Sequence, residues 1–143
     1  MALVSTITDP STGQTFKKID GAEFVRSPHL NSLLQVDYRF PLASGNSLLI
    51  GGDWKFTGKQ YYYVVPQDTV PQLQQGAYSL LGARVVYTFG NKGKSQLALY
   101  GSNLANKRYI AHGSVVSQSA NTTGWGYSPG DGRAVNVTFT QSW

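Results

Sequence analysis

Asn31-Ser32-Leu33-Leu34-Gln35-Val36-Asp37-Tyr38-Arg39-Phe40-Pro41 is the stretch from which the fold can be read. From Leu34 to Phe40 apolar and polar residues alternate with period two, the period of a β-strand whose faces meet different surroundings. Leu34, Val36, Tyr38 and Phe40 share one face, while Gln35, Asp37 and Arg39 share the other. Pro41, which has no amide hydrogen for a ladder, ends the run. Past the turn signal Ala43-Ser44-Gly45-Asn46, a second alternation sets Leu48, Ile50, Gly52, Trp54 and Phe56 against Asp53, Lys55 and Thr57. A connection that short predicts an antiparallel hairpin.

The pattern continues to the end of the chain. From Tyr78, a third strand sets Leu81, Ala83, Val85, Tyr87 and Phe89 against Gly82, Arg84 and Thr88, and Gly90-Asn91-Lys92-Gly93 reads as a tight turn. A fourth, from Ser95, places Leu97 and Leu99 opposite Gln96 and Ser102, although Ala98 and Tyr100 blur its polar side. The last places Val135, Val137 and Phe139, with Trp143, opposite Asn136, Thr138, Thr140 and Ser142. A partial strand is expected near residues 2–8. Stretches 9–29, 58–77 and 111–131 read as long polar connections, so short and long connections alternate. The expected fold is all-β: an antiparallel up-and-down meander of five to six long strands forming a curved open sheet.

Composition narrows the setting. Of 143 residues only 13% are charged, against roughly 25% in soluble domains. Glycine and neutral polar residues fill the deficit, a balance that argues against disorder and against a helical bundle. No apolar run approaches the roughly 18 residues of a membrane helix. Without cysteine there is no disulfide, thiol nucleophile or zinc-thiolate site. The net charge of +5 is dispersed, so no nucleic-acid partner is expected. The first eight residues lack the basic start and apolar stretch of a secretory signal.

An apolar face opposite a polar one suits two settings: a soluble β-sandwich with the apolar face as core, or an outer-membrane barrel with that face against lipid. Four features favour the barrel. The strands approach the about 9–11 residues needed to cross a bilayer at a tilt. Aromatics gather toward strand ends, where interfacial girdles lie. One rim has tight turns and the other long loops, and the chain stops on an aromatic after an alternating strand.

Four segments resemble the C-terminal part of TonB-dependent outer-membrane receptors, the transporters of iron chelates, cobalamin and some carbohydrates. Arg26-Ser27-Pro28-His29-Leu30-Asn31 with Leu34–Pro41 is similar to the family's loop exit and "DYRF" strand. Ala77–Tyr87 is similar to its Y-x-L-x-x-x-R-x-x-Y strand. Ser102-Asn103-Leu104-Ala105-Asn106-Lys107-Arg108-Tyr109 resembles its N-L-x-x-K-x-Y segment, the most specific of the four. Pro129-Gly130-Asp131-Gly132-Arg133 resembles its approach to the final strand. The likeness runs from about residue 20 to 143, making the whole chain, 1–143, a C-terminal barrel portion without the plug domain or the earlier strands of a roughly 22-stranded barrel.

The resemblance implies a place in the bacterial outer membrane. Its implied partners are outer-membrane lipid, the rest of the barrel with its plug, the TonB complex through that plug, and the outer-membrane assembly machinery. Val137, Phe139 and Trp143 stand where the assembly signal lies, although the family usually ends in Phe with Tyr two positions earlier, and this chain has Trp143 and Gln141.

Asp37, Arg39, Asp53, Lys55 and Arg84 are the charges expected to face the lumen. They either satisfy one another across strands or contact the plug and permeation route. Tyr61, Tyr62, Trp125 and Tyr127, with Tyr63, are loop aromatics able to stack on a sugar or an aromatic siderophore, or to anchor the loops. His29 and His112 lie far apart, Glu23 is the sole glutamate, and no catalytic set, metal site or cofactor is expected. A soluble β-sandwich ligand-binding module is the second reading, and a barrel closed by several copies the third.

Overall fold

The computed structural model describes residues 3–20, 24–62, 74–90, 95–119 and 122–142. The strands are β1 (Leu3–Thr8), β2 (Thr15–Asp20), β3 (Asn31–Pro41), β4 (Ser47–Thr57), β5 (Gln60–Tyr61), β6 (Gln74–Gln75), β7 (Tyr78–Phe89), β8 (Ser95–Ser102), β9 (Ile110–Ser119), β10 (Thr122–Pro129) and β11 (Ala134–Gln141). They fall into two compact units. One, residues 30–58, 77–109 and 129–143, holds a five-stranded sheet in the order β11-β8-β7-β4-β3. The other, residues 1–29, 59–76 and 110–128, holds three two-stranded sheets, β1-β2, β5-β6 and β9-β10.

Every pairing in the larger sheet is antiparallel, and each strand lies beside its sequence neighbour within the set. The β3–β4 turn is a short 3-10 segment, Ala43–Gly45, in which Ser44 (φ 63°) and Gly45 (φ 77°) take left-handed conformations. Gly90 does the same after β7 (φ 86°), while residues 91–94 lie outside the described residues.

Register carries the alternation of single strands across the whole sheet. Tyr38, Ile50, Val85, Leu99 and Val137 stand in one row, and Phe40, Leu48, Tyr87, Leu97 and Phe139 in the next. A third row, Val36, Gly52, Ala83, Gly101 and Val135, is thinner in the middle, and Leu34, Trp54 and Leu81 make a fourth. Thirteen large apolar side chains of this face are 36–69% exposed, from Val85 to Val137. Among the described residues the only buried apolar ones are Tyr62 and Ala98. Covering a half-exposed Val, Leu or Phe is worth roughly 1 kcal/mol, so the open face forgoes on the order of 10 kcal/mol.

The sheet holds five strands, not six, because β1 pairs with β2 instead of joining it. The stretches expected as plain connections also carry β2, β5, β6, β9 and β10. Alternation does not mark these strands: in Ile110–Ser119, His112, Gly113, Ser114, Ser117 and Gln118 leave neither face apolar. Backbone pairing in a hairpin needs no such face, so periodicity is silent there.

Candidate functional site

The polar face of the five-stranded sheet is organised around glycine. Asp37 on β3, Gly51 on β4 and Arg84 on β7 share one row. Strands two apart are separated by about 9–10 Å, so an ion pair between β3 and β7 must lean across β4. Gly51 leaves that space. A Cβ there would collide with Asp37 Oδ1 and stand 3.2 Å from Arg84 Cγ. Over it, Arg84 donates from Nε to Asp37 Oδ1 at 3.0 Å and from a terminal nitrogen to Oδ2 at 2.5 Å. Gln35 Nε2 also donates to Asp37 Oδ2, at 2.9 Å. Gly82 does the same for Asp53, whose carboxylate lies where a Cβ would be, with Cγ 2.7 Å from that point.

These two glycines were not singled out from sequence. Their mark is a glycine on the polar phase of a long strand, one register step from an aspartate. Gly51→Val is expected to part Asp37 from Arg84. In a double-mutant cycle Arg84→Gln should then change stability far less in the Gly51→Val background than in the native one, whereas equal effects would show the pair to be uncoupled.

The other expected lumen charges are placed differently. Arg39 donates to Ser47 Oγ at 3.2 Å. Asp53 and Lys55, adjacent positions on one face of β4, do not meet each other in an ion pair, and both line an open recess of about 200 Å³ with Leu80, Asn103, Tyr109 and Asp131. The structure therefore brings together Asp37 and Arg84 and leaves Arg39, Asp53 and Lys55 apart from them.

At the long-loop end of the same unit, residues 103–109 form a clasp with 129–133. Asn103, 6% exposed, takes a left-handed turn (φ 45°) that Asn tolerates. Its Nδ2 donates to Lys107 O at 2.9 Å and Asp131 O at 2.8 Å, while its Oδ1 accepts from Lys107 N at 2.8 Å. Asn106, also left-handed (φ 50°), accepts from Arg133 N at 3.3 Å. Leu104 donates its N–H to Leu81 O at 2.9 Å and lays its side chain against Gly101, where a Cβ would stand 2.7 Å from Leu104 Cδ2. The adjacent Asn-Leu pair thus divides its work: Asn103 holds the turn and Leu104 fills the hollow of the Gly101 row.

Tyr109 stacks on Tyr78, with centroids 4.6 Å apart and planes at 18°. Gly130 lets the ring in, since a Cβ there would enter it, and Gly130 N donates to Tyr109 O at 2.8 Å. Burial first, then the neighbouring Tyr78 and Asp131, pushes the Tyr109 phenol above the ordinary 10.0. The native state therefore favours the neutral phenol, and this contribution is present below pH 10.0 and lost as pH rises through the higher native value. Absorbance titration should show one tyrosine ionising late, and Tyr109→Phe should remove it.

In the second unit, Tyr62 is 4% exposed; Gln60 Nε2 donates to its hydroxyl at 2.9 Å, and the hydroxyl donates to Ile110 O. Its ring presents no free face for stacking. Tyr61 lies under Lys59, whose Nζ is 4.7 Å from the ring centroid, and its backbone bridges Val25 in parallel. Arg26, left-handed at φ 57°, sets its guanidinium against the His112 ring. Tyr127 is 68% exposed. The side chain of Trp125, and residues Tyr63 and Trp143, lie outside the described residues. Val137 and Phe139, 69% and 59% exposed, belong to the open apolar face.

Among the described residues no three His, Asp or Glu side chains gather as a metal site. No helix there is long and apolar enough to cross a membrane. Comparison with protein-family models, with characterised proteins and with solved structures returns no match for this chain.

Proposed function

We propose that this chain is a wall segment from the C-terminal end of a TonB-dependent outer-membrane receptor, with β3, β4, β7, β8 and β11 crossing the membrane. The observation that carries the reading is the continuous apolar face, exposed across all five strands, backed by a face of glycine-seated charges. Lipid covers the first and a wet lumen the second. A β-sandwich would bury that face under a second sheet, and thirteen side chains at 36–69% exposure speak against one. Uptake of a siderophore, cobalamin or carbohydrate belongs to the whole receptor, where the plug and TonB supply gating and energy. This segment contributes wall, the short outer hairpins whose strands carry Tyr61 and Tyr127, and the Val137–Phe139 strand offered to the assembly machinery.

Strand count bears on how the barrel closes. With five strands alternating in direction, β3 and β11 run the same way. A ring of identical copies would therefore join parallel edges, whereas outer-membrane barrels are antiparallel throughout. An odd number of strands from the rest of a receptor removes the conflict, which favours that closure over several copies of this chain.

The test is partition. The purified chain is expected to need detergent or vesicles to stay dispersed, and to shift Trp54 emission to shorter wavelength when lipid is added. A monodisperse, cooperatively melting monomer in detergent-free buffer would overturn the reading in favour of the sandwich.

A further inference from the structure

The five-stranded sheet ends in two edges of unlike character. β3 carries Asp37 and Arg39 and stops at Pro41, and charge and proline are features that blunt an edge against pairing. β11, Ala134–Gln141, has no charged residue, proline or glycine, and its Val, Thr and Phe side chains suit a pleated strand. All eight of its residues are exposed. Among the described residues β8 is its only partner. In an antiparallel strand every second residue turns its N–H and C=O to the same side, so β11 holds a row of donors and acceptors that β8 does not take up.

We propose that β11 pairs with β11 of a second copy, antiparallel about a two-fold axis at Val137, so that two five-stranded sheets become one of ten strands. The strand's own sequence selects this register. With Val137 against the second copy's Val137, Val135 meets the second copy's Phe139, a β-branched residue against an aromatic, and Asn136 meets its Thr138. Arg133 falls opposite the second copy's Gln141, so no like charges face each other. Moving the pairing by two residues in either direction sets Phe139 against Arg133 or Val135 against Gln141. An axis normal to the sheet keeps both apolar faces on one side, and the row from Tyr38 to Val137 continues into the same row of the second copy. The two copies stand with opposite rims side by side. This is therefore an association of chains outside a bilayer, and it does not rest on the membrane reading.

The full chain in detergent micelles is expected to sediment as a dimer once the detergent's mass is subtracted. Asn136→Lys/Thr138→Lys sets like charges directly opposite each other at both symmetry-related crossings, and Asn136→Glu/Thr138→Glu does so with the other sign. Each is expected to weaken the dimer on the order of tenfold. Mixed in equal amounts, the two variants are expected to recover it as a heterodimer, which damaged folding could not produce. Because the chain has no cysteine, Val137→Cys reads the axis directly. It is expected to form a disulfide-linked dimer under mild oxidation, and Val36→Cys, midway along β3, is not. A native monomer, or charge variants that do not recover on mixing, would overturn the proposal. Crosslinking through Val36→Cys alone would move the contact to the β3 edge, and equal crosslinking at both positions would show general association of apolar faces; either result sinks the β11 pairing. The membrane reading is judged by partition instead, so a monomer here leaves it standing.

Discussion

Val85→Arg is expected to cost about 2–4 kcal/mol of folding stability in lipid, a fall of roughly 30- to 1,000-fold in the folded-to-unfolded ratio. Val85 lies on β7, the middle strand of the sheet, between Ile50 and Leu99 in the row that crosses all five strands. Under the proposed reading that row sits deep in hydrocarbon, where a guanidinium has no water and no partner. Phe89→Arg, at the end of the same strand, is expected to cost only about 0–1 kcal/mol, because the side chain there reaches the interface. Denaturant titration in vesicles measures both. Shortening the acyl chains should shrink the Val85 penalty, a dependence that a protein core does not have. An arginine at Val85 that is neutral or improves solubility would show the face to be in water.

Asn103→Ala is expected to lose about 2–4 kcal/mol, by a different route. The substitution removes three hydrogen bonds and strands Lys107 N–H and the carbonyls of Lys107 and Asp131 in a site only 6% exposed, at about 1 kcal/mol for each bond. It also puts a Cβ without a compensating side chain at φ 45°, worth roughly another 1 kcal/mol. Asn103→Gly relieves the second cost and keeps the first, so it should be the less damaged of the two. Asn103→Asp keeps the acceptor for Lys107 N but turns a carboxylate toward two carbonyls. Melting in micelles ranks the three variants. Trypsin reads the clasp directly, since cleavage after Lys107 and Arg108 should be slow in the native chain and fast in Asn103→Ala. Unchanged cleavage would mean that the hydrogen bonds do not hold the segment.

How much of this could be read in advance depends on the range of the interaction. The faces of β3, β4, β7, β8 and β11 were legible because alternation is a local property, and even Ala98 and Tyr100, which blurred β8, take the polar side that its period assigns them. The Asp37–Arg84 pair was half legible. Both charges could be assigned to one face, but their meeting depends on register, on β7 adding beside β4, and on Gly51 leaving room between them. The clasp segments stood out as residue patterns. That Asn103 reaches Asp131, 28 positions away, could not be seen, because nothing near either residue encodes the other. Tyr62 shows the same limit in reverse: as one of three consecutive tyrosines it reads as a loop ring, and only its hydroxyl's partner at Ile110, 48 positions on, reveals a buried one.

Alternation along the chain was therefore enough to establish an all-β meander with one apolar and one polar face, since side-chain direction in a strand follows from backbone geometry alone. Folding in three dimensions settled which strands share a sheet, leaving β1 with β2. It also set the register that turns scattered apolar residues into continuous rows, and it chose which charges meet. Those outcomes rest on contacts between distant segments, where the deciding quantity is the space between side chains, as at Gly51, Gly101 and Gly130.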